Sequence, residues 1–245
     1  MKLSREDYLR KVRALLAQAQ DPATPPEAAE NMTTKAMELM ARHGIEVALA
    51  ADAGGSEADP IIDHKMPLKG QYLTDMIVIL VSVAEPLGIK HVQIRGRVRT
   101  ECVMHLFGPA SSIERADMLF TSLMVQCVGA MAGSQPEGLK GPDLRKWKSD
   151  FIFYFAAAVY GRLEAIEKQA TDSVAGTGTD LVPVLSRRSA AVDERVKAMY
   201  PRLKRSRTLV RGRSAHGKEA GRRAGQRADI GQRTTSDGSR NALGH

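Results

Sequence analysis

The chain has 245 residues, 43% apolar but only 4% aromatic, enough for one ordinary domain or two small ones with a core drawn from Leu, Val, Ile, Ala and the 11 Met. Its two cysteines, Cys102 and Cys127, exclude a disulfide framework and fit a reducing cytoplasm. The formal charge of +8 belongs to the end alone: residues 187–245 hold 16 Lys/Arg against 5 Asp/Glu, the first 186 hold 20 against 23, and a neutral body with a basic tail points to a polyanionic partner without naming a reaction.

The opening residues carry Lys2, Arg5, Glu6, Asp7, Arg10 and Lys11, with none of the apolar stretch of a secretory leader. The longest apolar run, 76–84, is far short of the roughly 20 residues a membrane helix needs. A cytoplasmic protein with no membrane partner is expected. Ser4 can cap a helix along which Leu9, Val12, Leu15, Leu16 and Ala19 recur at helical spacing, until Asp21-Pro22 stops it. Thr24-Pro25-Pro26-Glu27 reads as a capping box with proline at the first helical position. Ala28, Met32, Ala36, Leu39 and Met40 make a second stripe, closed by Gly44. Residues 1–45 therefore read as an antiparallel helical hairpin.

The same segment carries a family resemblance. The stretches 11–17 (KVRALLA), Asp21-Pro22, Pro26-Glu27-Ala28, 35–40 (KAMELM) and His43-Gly44-Ile45 resemble the short domain of unknown function DUF 2786, of a kind common in phages, plasmids and actinobacterial genomes. The resemblance implies a helical hairpin over residues 4–45 and no activity. The glycine-spaced stretch 217–225 is similar to the tails of longer members.

Residues 46–60 are rich in Ala, Gly, Asp and Ser and read as a linker. A domain over 61–200 follows. Ile61-Ile62 opens a short strand, and 72–87 has a helical stripe (Leu73, Met76, Ile77, Leu80, Val81, Ala84) ended by Gly88. Residues 89–95 and 101–107 alternate as two strands about a turn at Gly96. Ser111-Ser112-Ile113-Glu114 offers an N-cap for a helix to about Met131, residues 145–170 make a long helix led by Trp147, and 186–200 a further one closed by Pro201. The order implies an α+β fold, a small antiparallel sheet with helices over one face. Residues 201–245 form a basic, glycine-rich tail.

Strong catalytic signatures are missing: no His-Glu-x-x-His, no paired Cys-x-x-Cys, no phosphate loop ending in Gly-Lys-Ser/Thr and no Gly-x-Ser-x-Gly. No cofactor is expected. If the apolar rows Val92/Ile94 and Cys102/Met104/Leu106 both face the core, His91, His105, Glu101 and Arg95 share the opposite face. Two imidazoles and a carboxylate, His91, His105 and Glu101, would then be candidate metal ligands, with Arg95 on a substrate anion. The plainer reading is a solvated sheet face. Cys102 and Cys127 lack a basic neighbour and read as buried thiols, and Trp147 as a core anchor or, less simply, a base-stacking residue.

The phosphate-binding candidates are basic. Arg95, Arg97 and Arg99 surround the hairpin turn. Arg202, Lys204, Arg205, Arg207, Arg211 and Arg213 follow Pro201, and Lys218, Arg222, Arg223 and Arg227 accompany Gly217, Gly221 and Gly225. On a helix those glycines line one strip that permits close backbone approach. Each costs about 1 kcal/mol against Ala, so partial disorder is expected until the strip meets a partner. The leading expectation is a non-enzymatic accessory protein that binds DNA or RNA mainly through the backbone. A metal-dependent hydrolase or nuclease on the 89–107 hairpin is one alternative. A protein–protein adaptor, docking through the N-terminal hairpin, is another.

Overall fold

In a computed structural model of the chain the described residues are 59–175, 182–203 and 215–230, with 10–12, 14, 15, 17, 18, 28, 32, 35, 36, 39 and 40. They fall in two compact units, one of residues 1–39 with 229–245 and one of 40–228. In the first unit the described residues of the expected stripes are helical: Val12 and Ala36 are fully buried, while Lys11, Ala14 and Lys35 are exposed. That is the burial an amphipathic helix requires. The turn at 21–26 and most of the 46–60 linker lie outside the described residues.

The second unit is α+β. Strand β1 (Ile61–Lys69) leads to helix α1 (Leu73–Ala84), strands β2 (Lys90–Arg95) and β3 (Glu101–Pro109), then helices α2 (Ala110–Gly133), α3 (Gly141–Ala175), α4 (Val182–Met199) and α5 (Ala215–Arg227). The sheet is antiparallel with β3 in the centre, order β1-β3-β2. Tyr72 leads into α1, and Gly88, at φ +72°, provides the left-handed residue that follows it. Gly96 has a different reason to be glycine. Its amide bonds the Glu101 carbonyl at 3.0 Å, and a Cβ there would stand 2.6 Å from that oxygen.

Both faces of the sheet are covered, where the sequence suggested one. Phe107 and Val92 pack with Val192 of α4, joined by Ile61, Val196 and Tyr200. Helix α1 touches all three strands but not α4, so it takes the opposite side, that of the buried Met66, Leu68, Met104 and Leu106. The sheet is the middle layer.

The β2–β3 register also differs from expectation. Val92 stands opposite His105 and Ile94 opposite Val103, while His91 faces Leu106 and Gln93 faces Met104. His91 and His105 therefore project from opposite faces, because directly paired residues share a face. Alternation could not reveal this, since β3 is buried on both sides.

The expected serine cap is likewise replaced. Helix α2 begins at Ala110, with Pro109 in the N-cap position and no side-chain cap of its own. Asp59 does the work from outside: it accepts the Ser111 amide at 2.9 Å and the Ser111 hydroxyl at 2.6 Å, and it pairs with Arg188 of α4. Among the described residues, α2 is the helix long and apolar enough to cross a membrane by length and composition. Its Ile113, Ala116, Leu119, Phe120 and Leu123 row is buried within this unit.

Helix α5 overturns the expectation of disorder. It lies along α3, with lesser contact to α2. Gly221 and Gly225 face the main chain at Phe151 and Phe155 so closely that a Cβ at either would overlap a carbonyl oxygen. The small-residue strip is thus filled by α3, and tertiary packing supplies what an isolated glycine-bearing helix lacks. Arg162 of α3 donates to the Gly225 and Ala228 carbonyls at 3.0 and 2.5 Å, satisfying acceptors that a helix end leaves open.

Candidate functional site

Docking α5 by its glycines fixes what its other side presents. Lys218, Arg222, Arg223 and Arg227 are all exposed, with Glu219 the one acid among them. Arg222 reaches the two Glu219 oxygens at 3.2 and 3.1 Å, and Arg223 Nε lies 3.7 Å from one of them. Lys218 Nζ sits 5.6 Å from the centre of the Tyr154 ring, within cation–π range. A groove of about 560 Å³ between α2 and α5 is lined by Arg223 and Arg227 together with Gln126 and Ser134. Guanidinium groups at a polar groove can hold phosphate oxygens.

The hairpin tip is the second basic surface. Arg95, Arg97 and Arg99 are exposed and have no ion-pair partner among the described residues. The neighbouring carboxylate, Glu101, is occupied by Lys69 at 2.9 Å. Arg202 is exposed in the turn after α4. Lys204, Arg205, Arg207, Arg211 and Arg213 lie outside the described residues.

The metal-ligand set proposed from sequence does not assemble. His91 and His105 are on opposite sheet faces, Glu101 is paired with Lys69, and the described residues contain no group of three His, Cys, Asp or Glu able to hold a metal ion. Burial lowers the His91 pKa, against a smaller opposing pull from the Glu85 charge. His105 has another role. Fully buried, it meets Asp63 through Nε2 at 3.0 Å and Tyr200 through Nδ1 at 2.7 Å. A carboxylate only accepts, so Nε2–H donates to Asp63. Asp63 also takes Arg195 at 2.6 Å, and the Arg195 hydrogen bond, followed by that of His105, holds its pKa below the usual carboxylate value. This chain of bonds straps α4 to the sheet.

Both thiols are buried. Burial raises the Cys102 pKa, and burial with the Asp75 charge pushes Cys127 up to about 12. Both shifts favour the protonated thiol. Trp147 is buried and rests on Phe151 with ring centres 5.4 Å apart, so it anchors the core and offers no stacking face.

One site has no counterpart in the sequence reading. Where β3 enters α2, a cavity of about 770 Å³ is bounded by the 85–91 segment, the first turn of α2, the second half of α3 and the inner side of α4. Arg115 lines it at 4% exposure, with Nη1 bonded to Glu167 Oε1 at 2.5 Å. Its Nε and Nη2 are buried without a hydrogen-bond partner. The available signal was spacing: Arg115, Leu119, Leu123 and Cys127 form one line of buried residues four apart.

Residues 7–47 match the family model DUF2786, a protein of unknown function. The match covers the segment that carries the resemblance and bears that resemblance out. No curated protein and no solved structure matches the chain.

Proposed function

We propose that the protein is a non-enzymatic accessory factor that binds the phosphate backbone of DNA or RNA through the exposed side of α5, assisted by the arginine tip of the β2–β3 hairpin. The observation that carries this reading is the seating of α5. With its glycines against α3, the helix holds Lys218, Arg222, Arg223 and Arg227 outward on a fixed scaffold. Cations on a docked helix lose less side-chain and backbone entropy on binding than the same cations on a free tail. Binding of this kind releases counterions and reads no base.

Deleting the C-terminal segment is a poor test, because it would strip α5 from α3 and expose apolar surface. Charge reversal at Arg222→Glu, Arg223→Glu and Arg227→Glu leaves the docked face intact. Fluorescence anisotropy with a labelled mixed-sequence duplex and its single strand should show affinity falling steeply with salt for the native chain. The triple variant should bind at least tenfold more weakly, with the log–log salt slope reduced by about 0.9 for each duplex phosphate it no longer neutralises. Unchanged affinity in a folded triple variant would remove the reading. The same substitution at Arg95, Arg97 and Arg99 measures the share of the hairpin tip.

A further inference from the structure

The cavity at the start of α2 shares no residue with the basic side of α5, and its chemistry is different. A buried guanidinium with unmet donors is costly, since each buried donor without an acceptor forfeits its hydration. Here the unmet pair is Nε and Nη2 of Arg115, the two nitrogens whose N–H bonds run parallel. That edge matches two oxygens of one carboxylate or phosphate, in the bidentate geometry that favours Arg at such sites. Ser112, in the first turn of α2, lines the same cavity.

The charges around the cavity select among oxyanions. Arg188 is paired with Asp59, and Lys90 is 3.4 Å from Asp193. Arg115 already has Glu167 on its other side. Among the described lining residues the carboxylates of Glu85, Glu167 and Asp193 match the cations Lys90, Arg115 and Arg188, so each added negative charge carries a cost and a singly charged carboxylate is favoured over a phosphate dianion. The remaining walls are largely apolar and include Leu87, Ile89, Leu185, Val192 and Val196. The volume lies inside the roughly 300–1,000 Å³ usual for small-molecule sites.

We infer that this cavity binds a small monocarboxylate with an apolar body, its carboxylate on the Nε/Nη2 edge of Arg115, its hydrocarbon among Leu87, Leu185 and Val196. A carboxylate answers the parallel pair with one oxygen for each donor. The site accounts for an arginine on the buried line of α2 where an apolar residue would pack without cost.

Octanoate is a suitable probe, titrated calorimetrically into the full-length protein. One saturable site is expected, while octan-1-ol, with the same chain and no carboxylate, should not bind. Arg115→Lys keeps the charge and loses the fork, so octanoate affinity should drop roughly tenfold or more, the worth of one charged hydrogen bond. Leu185→Trp, which fills the cavity from α4 and leaves Arg115 in place, should abolish binding, and it decides the matter if Arg115→Lys does not fold. On binding, the Nε–H resonance of Arg115 should move in the ¹⁵N–¹H spectrum. Absence of a saturable site, equal binding by octan-1-ol, equal binding by folded Arg115→Lys, or equal binding by Leu185→Trp would each overturn the site. Tighter binding of octyl phosphate than of octanoate would overturn the choice of a monocarboxylate.

Discussion

Gly221 lies against the main chain of Phe151, where the addition of a single methyl group would overlap the Phe151 carbonyl oxygen. Two tendencies therefore oppose each other at this position. Alanine favours an isolated helix over glycine by about 1 kcal/mol, but here it meets backbone, which cannot move aside as a flexible side chain would. Gly221→Ala should destabilise the protein by about 1–3 kcal/mol net, as overpacked sites do. Denaturant unfolding of the protein, set beside the helicity of an isolated 215–227 peptide carrying the same change, should show opposite signs. A more stable protein would mean that α5 is not seated on α3 by its glycines.

Arg162 holds the other end of that seat through the Gly225 and Ala228 carbonyls. Arg162→Met keeps much of the stem and deletes the donors, leaving buried acceptors unmet at a cost of about 1–3 kcal/mol. Hydrogen exchange should quicken through the last turn of α5 before it changes in the sheet. Uniform acceleration across the unit would assign Arg162 to the global core.

The strap from Tyr200 through His105 to Asp63 and Arg195 predicts an acid sensitivity. The folded pKa of Asp63 lies below its unfolded value of 3.8, lowered first by the Arg195 hydrogen bond and then by His105. Its stabilising contribution is therefore complete above the unfolded value and is lost as pH falls through the folded one. Asp63→Asn should be less stable near neutral pH and should lose less additional stability on acidification from about pH 6 to about pH 2.5. Parallel stability curves for the two proteins would show that Asp63 is not held in its charged form. Tyr200→Phe removes the hydroxyl that pairs with His105 Nδ1 and should cost about 1–3 kcal/mol.

Glu219 shields Arg222 and Arg223 on the exposed side of α5. If that side meets phosphates, Glu219→Gln should raise nucleic-acid affinity severalfold at low salt, with the gain vanishing at high salt. Stability should barely change, since such exposed pairs contribute little. Unaltered affinity at low salt would argue that phosphates bind elsewhere.

The amphipathic helices were legible because their signal is local: Val12, Ala36 and Leu80 are apolar residues at helical spacing, and all are buried. Strand β3 was legible as a strand but not in its pairing. One row of Cys102, Met104 and Leu106 and another of Val103, His105 and Phe107 both enter cores, so alternation distinguishes no inner face and His105 was misplaced onto a polar one. Asp59 and Ser111, 52 residues apart, could not be matched by any local pattern.

The sequence by itself determined the order of helices and strands over residues 61–200, and that the positive charge gathers at one end, because spacing and composition act within a few residues. The tertiary structure alone decided that α4 closes the second sheet face, that the glycines of α5 are spent on α3, and that Arg115 keeps an open fork inside a cavity. Those outcomes depend on which distant surfaces meet. A glycine strip or a buried arginine acquires its meaning from the partner pressed against it, and no arrangement of its own neighbours in the chain specifies that partner.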